Sequence, residues 1–425
     1  MDHPSRPSKC SYTVLMTAST FPASPTDPVP RFVLDQALTM ATHSRGLKIV
    51  VLTPHTPASH SRQWPQNESE DGRVVQYRFH YAPRRLETLT AYGIMPALSA
   101  NPARVLLVPG LFIAQFFALW KLARRVRPNV IYAHWFTPQA LTARAVSILT
   151  KIPFGFTTHA SDVAVWSRLG CVGRRVVGSV TRNAVFVSAV STQTASKLLS
   201  FFPFGESRTA VKGRLAIIPM GVSVPPEPIE DGNPRHAFII ARLVQKKGLQ
   251  VLLEAWPLVI EKVPDAVLTI AGKGPLEGEL RAQAVKLGLD IRFPGYVTGS
   301  AKERVFRDGG VVLQPSVVAE TGDSDGLPVA LLEGLARGRI AVASDASGAQ
   351  DLLVDGTNGY LVSAGNADEL AQAIVKAMLL SPAQRAQMAV RARARVSALS
   401  WPRVAAKQLS LFPGFASHAE LEGQH

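Results

Sequence analysis

Two carboxylates stand eight residues apart in residues 325–333, which read DGLPVALLE. Gly326 lets the backbone approach a ligand closely, and Pro328 suits the first turn of a helix, so we expect a helix to begin here. The free N–H groups and positive end of such a helix attract phosphate, and eight helical residues span about 12 Å. That length suits two sugars joined by a diphosphate. The alternative is that Asp325 only caps the helix and Glu333 is a solvated helix residue.

Two cations, Arg242 and Lys247, lie five residues apart where a predicted strand ends and a helix starts. The planar fork of Arg and the point charge of Lys can hold a diphosphate from two sides, and they would stabilise the charge that develops on a phosphate leaving group. After the next strand, Gly272 and Gly274 allow a tight turn near a ligand. The alternatives are ordinary surface charge for the first pair and an ordinary turn for the second.

Histidines end two predicted strands in the first half of the chain. Side chains at the carboxyl ends of parallel strands face the ligand crevice, so His159 is a candidate to bind a sugar hydroxyl, with Asp162 three residues later. His134 and Trp135 end the preceding strand and could line an acceptor pocket. The alternatives are a structural histidine and core packing of Trp135. The chain lacks the dinucleotide fingerprint and the phosphate-binding loop ending in Gly-Lys-Ser/Thr, which argues against hydride transfer and kinase activity.

Strand-like and helix-like runs alternate along the whole chain, which predicts an α/β fold with parallel sheets covered on both faces. The predicted strands are residues 13–17, 47–53, 129–133, 153–158, 184–190, 214–219, 237–241, 266–271, 291–293, 311–316 and 341–344. A Pro-rich segment, 225–235, is predicted to link domains 1–224 and 236–398, with 399–425 a C-terminal helix and tail. Two such domains would face a central cleft, a usual ligand site.

The composition of the 425 residues, 47% hydrophobic and 18% charged, fits a globular protein of two domains and not a disordered chain. The two cysteines, Cys10 and Cys171, provide neither a disulfide framework nor a metal-ligand cluster. Met1 to Lys9 are polar and rich in Pro and Ser, so no targeting peptide is predicted. Together these features favour a cytoplasmic setting.

A net charge of +15 suggests an anionic partner. There is no recognised nucleic-acid module and no alternation of aromatic and basic residues, so an anionic membrane surface is a better interpretation than nucleic acid. The most apolar stretch, residues 105–120, is short of the roughly 20 residues that span a bilayer. Its basic end would suit a peripheral contact. The alternatives are a plain core helix and a soluble protein with a basic surface.

Taken in order, these stretches resemble glycosyltransferase family 4, whose members are retaining enzymes of the GT-B fold that use nucleotide-sugar donors. The resemblance runs from about residue 13 to residue 401, and its most specific part is the carboxylate pair around Gly-Leu-Pro-Val. The other matching segments are 218–222, 242–247, 272–275 and 355–362, with His159 and Asp162 matching less strongly. It implies two Rossmann-like, doubly wound parallel-sheet domains facing a central cleft, with the C-terminal helix returning to the N-terminal domain.

The resemblance also implies roles for individual residues. Arg242 and Lys247 would bind the donor diphosphate, Glu333 the nucleotide ribose, Asp325 the donor sugar, and His159 the sugar near the reacting carbon. The remaining implied contacts are Gly272, Gly274, Gly326, Leu327 and Pro328 for the donor and His134, Trp135 and Asp162 for the acceptor. The resemblance implies no metal, because the family is metal-independent. It also implies no cofactor and no protein nucleophile.

Three features depart from the family pattern. The family usually has Glu at the position of Asp325 and often has Asn-Gly where this chain has Met220-Gly221. The Gly-Gly acceptor loop after the first strand is replaced by FPASP at residues 21–25. The first departure shortens the carboxylate side chain by one methylene, and the third means that the identity of the acceptor cannot be transferred from the family.

The sequence thus predicts a cytoplasmic, peripheral enzyme at the inner face of the plasma membrane. It would move a hexose from a UDP- or GDP-linked sugar to a saccharide or lipid-linked acceptor, with retention of configuration and without a metal. The alternatives are a nucleotide-sugar epimerase of the same fold and a catalytically degenerate partner protein that binds sugar nucleotides.

Overall fold

The computed structural model describes residues 12–416 except 24–26, 28, 45, 58–65, 68, 70, 91–92, 95–96, 99–100, 160, 204, 227–231 and 321. The predictions for Met1 to Lys9, for Cys10, for part of the FPASP loop and for the middle of the linker lie outside the described residues. The chain forms two compact units. The N-terminal unit holds Met1–Ala189, Ala195–Gly221 and Trp401–His425, and the C-terminal unit holds Val190–Thr194 and Val222–Ser400.

The N-terminal unit is built on a sheet in which eight strands are described. They are β1 Tyr12–Thr17, β2 Leu47–Pro54, β3 Gln66–Asn67, β4 Val74–Phe79, β5 Val130–His134, β6 Phe154–Thr158, β7 Val187–Ala189 and β8 Leu215–Ile217. Their order is β3-β4-β2-β1-β5-β6-β7-β8, and all pair in parallel except β3, which is antiparallel to β4. Most residues of β2 and all of β5 are buried, as expected for a parallel sheet covered on both faces.

Helices cover both faces of this sheet. In the first 221 residues they are Phe32–His43, Val108–Val126, Leu141–Thr150, Ser161–Ala164, Gly170–Asn183, Thr192–Leu199 and Glu206–Arg214. One core lies against the helices Val108–Val126 and Leu141–Thr150, and a second lies against Phe32–His43. The alternation of apolar strands and amphipathic helices thus produces the predicted layered α/β architecture.

The C-terminal helix Trp401–Leu409 returns to the N-terminal unit, as predicted. Leu409 and Phe412 join the same core cluster as Tyr12 of β1, and the Tyr12 hydroxyl donates to the carbonyl of Pro413 at 2.8 Å. A Cβ on Gly221 would lie 2.2 Å from the Trp401 ring, so this packing requires glycine at that position. The chain departs from the family's Asn-Gly only at Met220 and keeps this glycine.

The C-terminal unit contains a second parallel sheet with six described strands. They are β9 Asn233–Ile240, β10 Val267–Ala271, β11 Ile291–Gly295, β12 Gly309–Gln314, β13 Ile340–Ser344 and β14 Tyr360–Val362, in the order β11-β10-β9-β12-β13-β14. The helices around it are Leu249–Lys262, Glu277–Lys286, Gly299–Asp308, Val329–Ala336, Ala367–Met378 and Pro382–Ser397. β9 begins inside the predicted linker. Because β9 and β12 are paired in parallel, the segment that follows β9 lies beside the loop that follows β12.

Among the residues that the structure describes, one helical stretch, Pro102–Val126, is long and apolar enough to cross a membrane by length and composition. The prediction that this apolar stretch, residues 105–120, is too short to span a bilayer was wrong, because helical residues extend it at both ends. Leu111, Leu119 and Leu122 pack in the core of the N-terminal unit, whereas Leu106 is 81% exposed. One face of the stretch is therefore a core face and the other is exposed.

Candidate functional site

Asp325 lies in the loop between β12 and the helix Val329–Ala336. The prediction that this helix begins at the carboxylate is wrong, because Pro328 takes the N-cap position with φ −68° and ψ 121°. The helical distance of about 12 Å between the two carboxylates therefore does not apply. Asp325 is only 7% exposed, and its Oδ2 accepts from Ser316 Oγ at 2.7 Å and from Gln314 Nε2 at 3.2 Å. The side chain is held at the end of β12 and does not cap the helix.

Two lysines reach this loop from the turn that follows β9. Lys247 Nζ lies 2.7 Å from Asp325 Oδ2. Lys246 Nζ lies 3.1 Å from Asp323 Oδ2 and 3.8 Å from Asp325 Oδ1. Gly248 has φ +62°, and a Cβ there would lie 1.8 Å from the carbonyl oxygen of the residue after β12, so only glycine permits this approach. The close backbone contact brings the charges of the two segments together.

Burial and charge oppose each other at Lys247 and Asp325. Burial lowers the pKa of Lys247, Asp325 counters this shift, and Lys246 and Arg242 add to it. Burial alone would raise the pKa of Asp325, but Lys247 and Lys246 outweigh it, so this pKa lies below its usual value and the carboxylate is ionised at neutral pH. With Asp323 included, two lysines contact two carboxylates, and Arg242 adds a third positive charge beside Lys247. An anionic ligand would reduce the repulsion among the cations.

Glu333 lies on the helix Val329–Ala336, and its Oε1 is 2.7 Å from Lys302 Nζ on the helix Gly299–Asp308. Both side chains remain partly exposed, in contrast to the Asp325 group. Between the two carboxylates, Leu327 is buried in the core cluster of the same helix. Any ligand contact from this leucine therefore has to come from its backbone, as it does for Gly326.

Gly272 and Gly274 follow β10 and pack against the turn that follows β9. A Cβ on Gly272, which has φ +149°, would lie 1.8 Å from Ala241 O, and one on Gly274 would lie 2.3 Å from Leu243 O. Both positions require glycine because the backbone on either side of Arg242 packs against them. Gly272 and Gly274 therefore position the backbone around Arg242, independently of any contact with a ligand.

The matching segment 355–362 also has a structural role. Asn358 Oδ1 accepts from the Val354 N–H at 2.7 Å, and Asn358 Nδ2 donates to Leu352 O at 2.9 Å. The Leu361 N–H donates to Asp355 Oδ1 at 3.0 Å. These bonds close the turn before β14, so the polar residues of this motif serve backbone geometry.

In the N-terminal unit, His134 and His159 stand at the ends of β5 and β6, with His134 Nδ1 3.2 Å from His159 Nε2. Burial, and to a smaller extent His159, hold the pKa of His134 well below its usual value. Burial lowers the pKa of His159 to about 3. Both rings are therefore neutral at pH 7, and one donates the shared hydrogen bond while the other accepts it. His134 is fully buried, which leaves His159 as the partly exposed member of the pair.

Trp135 stacks on His159, with ring centroids 4.7 Å apart, and Phe32 lies 5.6 Å from the same histidine. Trp135 has φ 76°, an uncommon value for a residue with a side chain. Its N–H donates to Thr157 O at 2.9 Å, which fixes the chain where it leaves β5. Aromatic rings of this kind suit the apolar faces of a sugar.

Asp162 joins the loops that follow β5 and β6. Its oxygens accept from the N–H of Phe136 at 2.5 Å, from the N–H of His159 at 3.0 Å and from Thr158 Oγ1 at 2.9 Å. Burial raises the pKa of Asp162, and these three donors only partly offset the shift. Because the carboxylate is engaged in these bonds, the arrangement uses it to position His159.

The structure brings the predicted residues into two groups, one in each unit. Arg242, Lys247 and Asp325 form the first group, and His134, Trp135, His159 and Asp162 form the second. Sequence reasoning missed Gln314 and Ser316, although polar residues at the end of an otherwise apolar strand were a usable signal. Lys302 carried no signal, because a lysine on an amphipathic helix is ordinarily a solvated residue.

Residues 31–224 match the family described as Glycosyltransferase Family 4, and residues 234–379 match the family described as Glycosyl transferases group 1. Together the two ranges include every predicted site residue. They also follow one another in the order of the two units of the structure.

Curated relatives share about a third of their residues with this chain. Over 202 residues it is 34% identical to the phosphatidyl-myo-inositol mannosyltransferase of Mycolicibacterium smegmatis. These residues are 46% of this chain and 50% of the relative. It is 32% identical over 189 residues to the putative colanic acid biosynthesis glycosyltransferase WcaL of Escherichia coli, covering 43% and 47%. The amylovoran biosynthesis glycosyltransferase AmsK of Erwinia amylovora is 31% identical over 180 residues, covering 42% and 44%. The chain thus spans about half the length of the curated relatives it matches.

Solved structures share the fold over nearly the whole chain. Sucrose-phosphate synthase from Thermosynechococcus elongatus matches with a TM-score of 0.70 and 17% identity, covering 96% of this chain and 100% of that one. The Anabaena protein HepE, in a complex with UDP and glucose, matches with a TM-score of 0.65 and 18% identity, covering 94% and 99%. At these identities the likeness shows the fold alone, and that fold is GT-B with two Rossmann-like units.

Proposed function

The chain belongs to glycosyltransferase family 4, and from this premise we propose that it transfers a hexose from a UDP- or GDP-linked sugar to a saccharide acceptor. The observation that carries the proposal is the buried Lys247–Asp325 pair, with Lys246 and Arg242 beside it, at the carboxyl ends of β9 and β12. In open α/β sheets this edge is where ligands bind. A cluster with more cations than carboxylates there favours a diphosphate.

Within this proposal, Arg242 and Lys247 bind the donor diphosphate. Negative charge grows on the diphosphate as its bond to the sugar breaks, so fixed cations stabilise the transition state more than the ground state. Asp325 holds Lys247 in place through the 2.7 Å contact and, with the backbone that follows it, binds the donor sugar. Glu333 binds the ribose hydroxyls, and Lys302 orients its carboxylate through the 2.7 Å contact.

His159 contacts the sugar near the reacting carbon, and His134 with Asp162 positions it. A neutral imidazole suits this role because it can bind a hydroxyl without adding charge beside a developing oxocarbenium ion. Transfer then proceeds by attack on the same face from which the diphosphate leaves, with retention of configuration. No metal is required for this step, because the cations of the C-terminal unit neutralise the leaving group.

We further propose that the enzyme is cytoplasmic and peripheral at the inner face of the plasma membrane. The apolar residues Leu106, Ile113 and Phe117 form an exposed stripe on the helical stretch Pro102–Val126, and Lys121 and Arg124 extend that stripe. This pattern suits a helix that lies in the membrane interface, with its basic end on anionic lipid headgroups. A membrane position and the phosphatidylinositol-type acceptor named for one relative together favour a lipid-linked acceptor.

The transfer proposal is tested with purified full-length protein and a panel of UDP-, GDP-, ADP- and dTDP-sugars. We expect nucleotide release that depends on an added acceptor, retained configuration in the product, and no rate increase with Mg²⁺ or Mn²⁺. Asp325→Asn should abolish release, whereas Asp265→Asn, at an exposed ion pair with Arg235, should not change it. Conversion of the donor sugar without acceptor would instead identify an epimerase, and binding without turnover a degenerate partner protein.

The membrane proposal is tested by flotation with liposomes. Wild-type protein should float with anionic vesicles more than with neutral ones and should be released by alkaline extraction. Ile113→Ser with Phe117→Ser should reduce flotation, whereas Val285→Ser, at an even more exposed valine of the C-terminal unit, should not. Equal flotation of all variants, or resistance to extraction, would contradict a peripheral contact through this stripe.

A further inference from the structure

Two histidines lie side by side at the carboxyl ends of β2 and β4. The parallel register pairs Pro54 with Phe79, so the next residues, His55 and His80, emerge from neighbouring strands at the same level. The His55 N–H donates to Phe79 O at 2.8 Å, which fixes this register. The two imidazole rings have their centroids 4.4 Å apart. Sheet pairing therefore brings together two side chains that are 25 residues apart in sequence.

A buried carboxylate completes the group. Glu87, which follows the turn Arg84–Leu86, is 0% exposed, and its Oε2 lies 2.6 Å from His55 Nδ1 and 3.0 Å from His80 Nδ1. Its Oε1 accepts from the Tyr81 N–H at 2.8 Å. One nitrogen of each ring and one carboxylate oxygen thus converge within 4.8 Å of one another.

His55 Nδ1 lies 2.6 Å from Glu87 Oε2, although the direction of this contact departs from normal hydrogen-bond geometry. A carboxylate oxygen that faces two imidazole nitrogens at this range also has the arrangement of a metal-ligand set.

We propose that His55, His80 and Glu87 bind a divalent metal ion of the zinc type. Two imidazole nitrogens and one carboxylate oxygen are a known zinc ligand set, and water would occupy the fourth position. Zinc lies about 2.1 Å from such ligands, so tetrahedral ligand atoms are about 3.4 Å apart. The observed separations of 2.6 Å and 3.0 Å need to widen by less than about 1 Å. The exposed His80 ring has room to make the adjustment at the 3.0 Å contact, and the 2.6 Å contact needs a small shift of His55.

The contact from Tyr81 supports the assignment, because metal-binding carboxylates are usually oriented by a second hydrogen bond. Binding would join the turn Arg84–Leu86 to the ends of β2 and β4. None of these residues belongs to the groups proposed for sugar transfer. The metal site can therefore be tested independently of that activity, and either proposal can fail without the other.

The test uses full-length, untagged protein freed of metal by a chelator, titrated with zinc against a chromophoric competitor. We expect one zinc per chain, with affinity lowered more than about tenfold in His80→Ala and in Glu87→Gln. His43→Ala, at an exposed histidine outside the cluster, should bind as the wild type does. Zinc should also raise the unfolding temperature of the wild type and of His43→Ala but not of His80→Ala.

Cobalt substitution gives a second readout, because a four- or five-coordinate site produces visible absorption bands that His80→Ala should lack. His80 is an exposed side chain, so its removal leaves the core intact even if Glu87→Gln fails to fold. Zinc affinity equal in wild type and His80→Ala, with no cobalt bands in either, would overturn the proposal and leave a cluster bound by hydrogen bonds alone.

Discussion

The predicted residues of the C-terminal unit form an ionic group, whereas those of the N-terminal unit form a neutral one. Around Asp325, two lysines and two carboxylates are joined by salt bridges of 2.7 to 3.8 Å, and Arg242 adds a third positive charge. Around His159, two neutral imidazoles, a tryptophan and a phenylalanine pack together, and the Asp162 carboxylate accepts from two backbone N–H groups and from Thr158. The first arrangement suits a charged diphosphate and the second a neutral sugar. Two parallel sheets thus carry different groups at their carboxyl ends, an ionic group in the C-terminal unit and a neutral group in the N-terminal unit.

Removing the central cation should produce the largest effect. Lys247→Ala leaves a buried carboxylate without its partner, so we expect kcat/KM to fall by about 100-fold to 1000-fold and stability by about 3 kcal/mol. Steady-state kinetics and urea unfolding measure the two effects. Lys262→Ala, at an exposed pair with Glu261, is the control and should change neither. Full activity in Lys247→Ala would remove the basis for a diphosphate site.

The neutral group should affect turnover and not nucleotide binding. His159→Ala removes a ring proposed to contact the sugar, so we expect kcat to fall by about 100-fold while the affinity for free nucleotide is unchanged. Calorimetric titration with nucleotide and turnover assays separate the two quantities. A loss of nucleotide affinity in this variant as large as that in Lys247→Ala would contradict the division between the groups.

Acid should destabilise the protein through the histidine pair. The pKa of His159 is about 3 when folded and about 6.5 when unfolded, so between these values the unfolded state binds more protons and stability falls as the pH falls. The slope from this residue is at most about 1.4 kcal/mol per pH unit below pH 6.5. Urea unfolding from pH 7 to pH 5 should show a smaller slope in His159→Gln than in wild type. An unchanged slope in that variant, with His43→Gln as the exposed control, would mean that this histidine does not stay neutral when folded.

The smallest effect is expected at the partly exposed pair of Lys302 and Glu333. Lys302→Ala should weaken nucleotide binding only a few-fold, because exposed salt bridges contribute about 0 to 1 kcal/mol. Glu333→Ala should weaken it more, since it also removes the proposed ribose contact. Calorimetric titration of both variants makes the comparison. A larger loss in Lys302→Ala would mean that the lysine itself binds the nucleotide.

Sequence patterns were sufficient for the alternating elements, whereas the return of the C-terminal helix was implied by the family resemblance. Strands such as β1, β5 and β12 are mostly apolar and buried, as parallel sheets require, and their positions follow from that pattern. The short β14 and the half-polar β4 were not predicted, because a few residues of mixed polarity carry little periodicity. The start of the helix after Asp325 was misplaced, because a proline next to a helix can occupy the N-cap as well as the first turn.

The sequence alone determined the α/β class, which depends on periodicity, and the residue types of the candidate site. The local order of its motifs carried the resemblance to the family and thereby to the GT-B fold. Tertiary structure decided the partners: Ser316 and Gln314 for Asp325, Lys302 for Glu333, and His134 for His159. The pairing of His55 with His80 likewise arises only when β2 and β4 lie side by side. Burial and charge at these contacts are set by residues distant in the chain, so no local pattern can specify them.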